Sequence, residues 1–311
     1  MKSLALCIPA YNAAWCLPRL LTSAKNQYIK FDEIFVYNDC SSDNTREVAL
    51  EYGAVVIDGD MNRGCSFGKN KLAELVKSEW IHFHDADDEL LPNFTTLAHK
   101  WMDKEECPEV VLFNYEYRDH ITNEFISLRK FDKDKLETDP IKYAIAEQIN
   151  PFCGLYHKTA FLNAGGYDLD PKVLYNEDCA LHISLALHHL RFSSEDEISI
   201  INYRINNSMS QSNKDKCFQA QFYVMEKTAG TAAPAYYKDI AKKFIEIATN
   251  LASLNNWEKT KASLMFAKKL GISSVSVNGN ILFNVVSKFS PFAAFWIREK
   301  MIRLLKPRFR R

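Results

Sequence analysis

Four short apolar runs, Leu4–Pro9, Asp32–Asn38, Ala54–Asp58 and Trp80–His84, alternate with stretches that carry apolar residues at helical spacing, Leu17–Lys25, Thr45–Tyr52 and Gly68–Lys77. Strand–helix alternation predicts an α/β chain with a Rossmann-like, mostly parallel sheet flanked by helices, because parallel neighbours need a crossover long enough to hold a helix. Ligands of such sheets lie beyond the carboxyl ends of the strands. The polar residues at those ends are Tyr11-Asn12, Asp39 and Asp85-Ala86-Asp87, so three strand ends converge on one crevice. A dinucleotide fold would place Gly-x-Gly-x-x-Gly after the first strand, whereas Pro9-Ala10-Tyr11-Asn12 stands there, which argues against nicotinamide or flavin binding.

The fourth run ends abruptly in Asp85-Ala86-Asp87-Asp88. Carboxylates held this close repel one another unless a hard divalent cation with oxygen ligands neutralises them. The same acids would suit a helix start ahead of Leu90-Leu91-Pro92, so both readings stand at this point. An EF-hand loop does not fit: Leu90 sits where that loop needs glycine and Thr96 where it needs glutamate.

With 311 residues and 47% apolar content the chain can bury a substantial core. Its formal net charge of zero offers nothing global to steer it to nucleic acid. Cys7, Cys16, Cys40, Cys65, Cys107, Cys153, Cys179 and Cys217 are scattered without CxxC spacing, as expected of reduced, packing thiols. The start, Met1-Lys2-Ser3-Leu4, lacks the apolar core and cleavage site of a signal peptide, and the expectation is a cytoplasmic location.

Beyond Asn213 the pattern becomes helical: Tyr236–Leu254, an Asn255-Asn256 turn, then Trp257–Leu270 closed by Gly271. Two regions follow, 1–213 and 214–311, the second a helical appendage. The helical hairpin has the form of one helical-repeat unit without a second copy. The last segment combines Phe283, Phe289, Phe292, Phe295 and Trp296 with Arg298, Lys300, Arg303, Lys306, Arg308, Arg310 and Arg311. Lys288 and Pro291 interrupt its apolar run, so it is too short and too polar to span a bilayer. Two uses remain: a peripheral contact with an anionic membrane surface, at the inner face of the cell membrane, or a packed helix with a frayed basic end.

Five segments, taken in order, resemble the inverting nucleotide-sugar glycosyltransferases of family 2, whose catalytic domain has the GT-A fold. They are Ile8-Pro9-Ala10-Tyr11-Asn12; Val36-Tyr37-Asn38-Asp39-Cys40-Ser41-Ser42-Asp43-Asn44-Thr45; Asn62-Arg63-Gly64 with Lys69-Asn70; Asp85-Ala86-Asp87-Asp88; and Asn176-Glu177-Asp178. The resemblance covers residues 1 to 213 and implies a GT-A glycosyltransferase catalytic domain there. Any one motif is weak, and the ordered set is specific.

The resemblance implies a role for each position. Asp39 would accept the ring N–H of the donor's base, which uracil, thymine and guanine offer, with uridine the family's commonest case; a bare acceptor opposite it would cost ~1–3 kcal/mol. Tyr11 would line the base, with Pro9 shaping the turn and Asn12 nearby. Lys69 stands where relatives often carry arginine and would meet a phosphate without the bidentate fork. Asp85 would hold the ribose, beside Ala86. Asp87 would coordinate Mg2+ or Mn2+ bridging the diphosphate, where a cation stabilises the charge that builds as the nucleotide departs. Asp88 would be a supporting or helix-capping carboxylate. Asp178, at a helix N-terminus, would be the base that takes the acceptor hydroxyl's proton during a single displacement, inverting the anomeric carbon. Cys153-Gly154-Leu155-Tyr156 and Gly165-Gly166-Tyr167-Asp168 resemble the stretch ahead of that base.

The chain departs from the pattern at Asn38, where aspartate is common, Cys40 (glycine), Ser184 (arginine) and Asn206, where relatives often carry a histidine near the metal or diphosphate. The implied partners are a nucleotide-sugar donor and a glycan or lipid-linked saccharide acceptor, in surface polysaccharide synthesis. The departures leave a second reading open, a catalytically degenerate glycan- or nucleotide-binding assembly subunit. A nucleotidyltransferase would need a glycine-rich basic loop after the first strand, which the chain lacks.

Overall fold

A computed structural model describes residues 2–205, 212–278 and 280–305. By their contacts the described residues form two compact units. The first gathers the chain up to Ala144, Gln148–Leu169 and the stretch from Ala180 through the last strand; the second gathers Ile145–Glu147, Asp170–Cys179 and the C-terminal helices.

The first unit is an α/β fold on a nine-stranded sheet. Strands β1 (Leu4–Ala10), β2 (Glu33–Asn38), β3 (Val55–Asp58) and β4 (Trp80–Phe83) run parallel in the order β3-β2-β1-β4. Every residue of β1 is buried, as expected of a central parallel strand covered on both faces. Beyond β4 the sheet is mixed. β8 (Gly154–His157) lies antiparallel between β4 and β6 (Val110–Asp119); β9 (Phe192–Arg204) runs parallel to β6; β5 (Glu89–Leu90) closes the far edge, and β7 (Phe125–Arg129) pairs with the outer half of β6.

The crossovers are α1 (Leu17–Lys25), α2 (Thr45–Glu51) and α3 (Cys65–Leu75). Helix α3 starts three residues before Gly68, because Gly64 at φ 86° serves as its N-cap and Asp39 accepts the backbone N–H groups of Arg63 and Gly64 just ahead of it. Gly68 itself packs on Tyr37: a Cβ there would lie 2.6 Å from the ring, so the helix can sit this close to β2 only without a side chain. Further along the first unit come α4 (Phe94–Met102), α5 (Lys133–Thr138) and α7 (Lys158–Asn163); α6 (Pro140–Ala146) and α8 (Glu177–Leu187) each run from one unit's segment into the other's. The core is aromatic, with Phe83 against Phe161 (ring centroids 5.2 Å) and Tyr156 (5.7 Å), and Phe94 against Phe113 (4.8 Å). Each such ring contributes ~1.5–3 kcal/mol by leaving water.

Cys7, Cys16, Cys107, Cys153 and Cys179 are buried and Cys40 is exposed. Burial raises the thiol pKa of Cys16 and Cys179 to about 12.

The second unit contains α9 (Lys214–Thr231), α10 (Tyr237–Ser253), α11 (Trp257–Lys269), α12 (Ile281–Phe289) and α13 (Pro291–Leu305). Helix α10 buries Ile240, Ala241, Phe244, Ile247, Ala248, Leu251 and Ala252, one continuous face. Gly271, at φ 103°, ends α11 with paired bonds, its own N–H to Lys268 O (3.1 Å) and that of Ile272 to Ala267 O (2.9 Å). Phe283 and Phe295 join the core with Ala248, Ala252, Leu264 and Ala294, and Phe292 packs half-buried against it, so three of the five aromatics of the final segment face inward. Among the described residues no helix is long and apolar enough to cross a membrane. Asn206, Lys306, Arg308, Arg310 and Arg311 lie outside the described residues.

Candidate active site

At the end of β1 the chain turns through Asn12, in the left-handed region at φ 49°, which asparagine tolerates better than most residues. Its Oδ1 accepts from Ser42 N (2.8 Å) and its N donates to Ser41 Oγ (3.0 Å), clamping the β1 loop to the β2 loop. Pro9 is buried within β1 opposite Tyr37, whereas Tyr11 is 54% exposed. Asp43 accepts from Ala14 N (3.1 Å) and Thr45 N (3.0 Å), holding the same two loops together.

Asp39 is buried at the end of β2. One of its oxygens accepts from Arg63 N (2.9 Å), the other from Gly64 N (2.8 Å). Each oxygen has a second lone pair for a further donor. Asn38, the departure beside it, donates to Asp58 Oδ1 (2.9 Å) and accepts from Ser41 N (3.1 Å), a loop-fixing role.

Lys69 is no solvated helix lysine: its side chain is 2% exposed, and Nζ lies 3.2 Å from Asp85 Oδ1 and 5.5 Å from the centre of the Tyr167 ring. The next residue, Asn70, holds both backbone groups of Tyr167, at 3.0 and 2.8 Å, which fixes the Gly165-Gly166 turn at φ 89° and 64°.

The acid loop follows β4. Burial, then the charge of Asp85, raises the pKa of Asp87 above the usual carboxylate range. Ala86 between them is buried. Asp88 does not cap a helix. Fully buried, it accepts from Asn202 Nδ2 (2.7 Å) and Tyr203 N (2.9 Å), tying the loop to the end of β9, and burial with the charges of Asp87 and Asp85 raises its pKa further. Beneath the loop, His82 Nδ1 meets Gly154 O (2.8 Å) and its Nε2 meets His84 Nδ1 (2.9 Å). Burial lowers both imidazoles, His84 to about 3, so neutral rings form the floor.

Lys69 balances Asp85, and Asn202 with Tyr203 serves Asp88, so the carboxylate left for a divalent cation with phosphate oxygens is Asp87, whose raised pKa fits that use. Among the described residues no group of three or more His, Cys, Asp or Glu side chains is arranged to hold a metal by itself.

The structure thus brings Pro9, Tyr11, Asn12, Asp39, Lys69, Asp85, Ala86 and Asp87 together at the carboxyl ends of β1, β2 and β4. Asp178 lies in the first turn of α8 with Glu177, half-buried, in the segment Asp170–Cys179 that belongs to the helical unit. Sequence reasoning did not single out Arg19 and His120. Arg19 Nη2 donates to the main-chain oxygen of Asp87 (2.7 Å), and its guanidinium lies 3.8 Å over the Tyr203 ring. Arg19 shares the polar face of α1 with nothing that marks it, and His120 sits in a turn, where spacing carries no signal.

A family model described as "Glycosyl transferase family 2" matches residues 5–162. The putative glycosyltransferase EpsH of Bacillus subtilis is 24% identical over 283 residues, covering 86% of this chain and 80% of that protein. A TPR repeat-containing protein of Synechococcus elongatus is 32% identical over 107 residues, and the chain spans only 26% of its length. Among solved structures, S. aureus TarS 1–349 in complex with UDP-GlcNAc superposes with a TM-score of 0.73 at 17% identity, covering 98% of this chain and 92% of that one. The mannosyltransferase PcManGT from Pyrobaculum calidifontis, in complex with GDP-Man and Mn2+, gives 0.62 at 16% identity, covering 98% and 88%. These two share the fold.

Proposed function

The chain belongs to glycosyl transferase family 2, and we propose that it transfers a hexosyl group from a nucleotide-diphosphate sugar, a UDP-sugar first, to a glycan or lipid-linked saccharide of the cell surface. The observation that carries this reading is the carboxylate loop Asp85–Asp87, at the end of β4 and next to the ends of β1 and β2, with Lys69 buried against it.

In this reading Tyr11 lies along the base and Asp39 accepts its ring N–H. Asp85 holds the ribose, and Lys69 offsets the charge of the loop and meets phosphate. Asp87 would hold Mg2+ or Mn2+, which when bound supplies positive charge against the departing diphosphate. Asp178 takes the acceptor hydroxyl's proton as that oxygen attacks from the face opposite the nucleotide, so the anomeric configuration inverts. The catalytic region is residues 1–213.

The location that goes with lipid-linked acceptors is the cytoplasmic face of the membrane. Ile281, Leu282, Val285 and Phe289 of α12 are all exposed, and at 100° per residue they share an arc of about 100°, flanked by Lys288. Apolar side chains beside cations suit an anionic leaflet.

The test is turnover of a panel of UDP-, dTDP- and GDP-sugars with manganese, with Asp87→Ala as control. Metal-dependent transfer or donor hydrolysis that Asp87→Ala loses is the expected result. Donor binding with equal, negligible turnover in both proteins would favour the degenerate binding subunit instead.

A further inference from the structure

Opposite the acid loop, in the turn that joins β6 to β7, stands His120, which none of the family segments includes. One guanidinium nitrogen links it to the loop: Arg19 Nη2 donates to Asp87 O at 2.7 Å and lies 3.5 Å from His120 Nδ1. Around that link the positions are fixed. The Arg19 guanidinium rests on the Tyr203 ring, Tyr203 OH donates to Glu89 Oε2 (2.8 Å) with Asn123 Oδ1 3.2 Å away, and His120 N donates to Arg204 O (3.3 Å). The edge of Trp15, a residue 57% exposed, meets the imidazole at 5.1 Å between ring centres, which limits how the ring can turn.

The chemistry of the ring follows from that arrangement. An arginine N–H can only donate, so Nδ1 is the acceptor and the proton of the neutral imidazole sits on Nε2. Nε2 makes no hydrogen bond among the described residues. His120 is half-buried and so presents a fixed N–H donor beside a carboxylate loop rich in acceptors. A donor held there, next to a guanidinium, suits a ligand with anionic oxygens near Asp87, and a nucleoside diphosphate carries them.

We propose that His120, oriented by Arg19 and Trp15, donates from Nε2 to a diphosphate oxygen of the bound nucleotide, a binding contact from the β6–β7 turn additional to the carboxylate loop. The inference rests on the nucleotide-sugar reading above. Trp15 and Arg19 act through His120 and are positioning residues.

The experiment measures binding to the full chain, in manganese buffer, of whichever of UDP, dTDP and GDP the wild type takes, and of its parent nucleoside. His120→Ala is expected to weaken the diphosphate about tenfold and leave the nucleoside unchanged, the factor that one hydrogen bond to a charged group represents. His120→Gln, whose amide nitrogen can stand near the Nε2 position, is expected to recover most of that loss. Diphosphate affinity unchanged in His120→Ala, or an equal loss for diphosphate and nucleoside, would overturn the proposal and leave the family reading intact. A wild type that binds none of the three diphosphates would remove the nucleotide-sugar reading, and this inference with it.

Discussion

Lys69 Nζ and Asp85 Oδ1 are 3.2 Å apart, the lysine side chain almost wholly enclosed and the aspartate 37% exposed. Removing one partner of a buried pair leaves the other charge uncompensated, at ~3–5 kcal/mol when both are enclosed. Because Asp85 reaches solvent, Lys69→Ala is expected to cost about 2 kcal/mol, together with nucleotide affinity. Urea unfolding and nucleotide titration check this; an unchanged midpoint would mean that the pair contributes nothing to the fold.

Asp178→Asn keeps the shape of the side chain and removes its basicity. Transfer is expected to fall by about 100- to 10,000-fold, the usual worth of a general base, with donor affinity retained. Single-turnover transfer measured beside donor binding separates the two. Loss of both together would assign Asp178 to binding.

Gly68 packs under Tyr37, where a Cβ would meet the ring at 2.6 Å. Overpacking of this kind costs ~1–3 kcal/mol, so Gly68→Ala should lower the melting temperature by several degrees. Gly230, also helical but with nothing within 4 Å of an added Cβ, serves as the comparison, where alanine should hold or raise the melting temperature.

Glu33 accepts from Lys77 N (2.9 Å), Ser78 N (2.6 Å) and Ser78 Oγ (2.6 Å), joining β2 to the end of α3. Burial raises its pKa, but the Ser78 hydroxyl and the two backbone donors lower it more, and the net shift is downward. A depressed carboxylate stabilises the fold above its ordinary value of about 4.3 and loses that contribution as pH falls through the folded value. Thermal unfolding of wild type and Glu33→Gln should differ by a constant amount near neutrality, and the gap should close in acid.

Ile281 and Phe289 are 81% and 87% exposed, whereas Phe295 is buried. Ile281→Asp with Phe289→Asp should abolish sedimentation with phosphatidylserine vesicles without lowering the melting temperature. Phe295→Ala should lower stability by ~3–5 kcal/mol. Equal pelleting of the double variant and wild type would rule out this face as the membrane contact.

The first four strands and three crossovers were legible because apolar periodicity dictates them, and Gly271 marks the end of α11 by its backbone freedom alone. The start of α3 was not legible, since it depends on a carboxylate from a different strand end, Asp39, taking the Arg63 and Gly64 N–H groups. Asp88 sits at the right spacing for a cap, yet pairing with Asn202 and Tyr203 prevails because β9 arrives from more than a hundred residues away. Much of the mixed half of the sheet rests on such distant pairings, β9 with β6 and with β5 among them. In the final segment the aromatics were evident, but which of them turn inward is decided by partners such as Ala248 and Leu264 on other helices.

The distribution of thiols has a practical outcome. Five of the eight are enclosed, and Cys40 stands exposed immediately after Asp39, in a left-handed turn at φ 59°. A maleimide fluorophore under brief, limiting labelling would favour that position and so place a reporter at the rim of the proposed nucleotide crevice, where occupancy could be followed as a change in emission without an engineered attachment point.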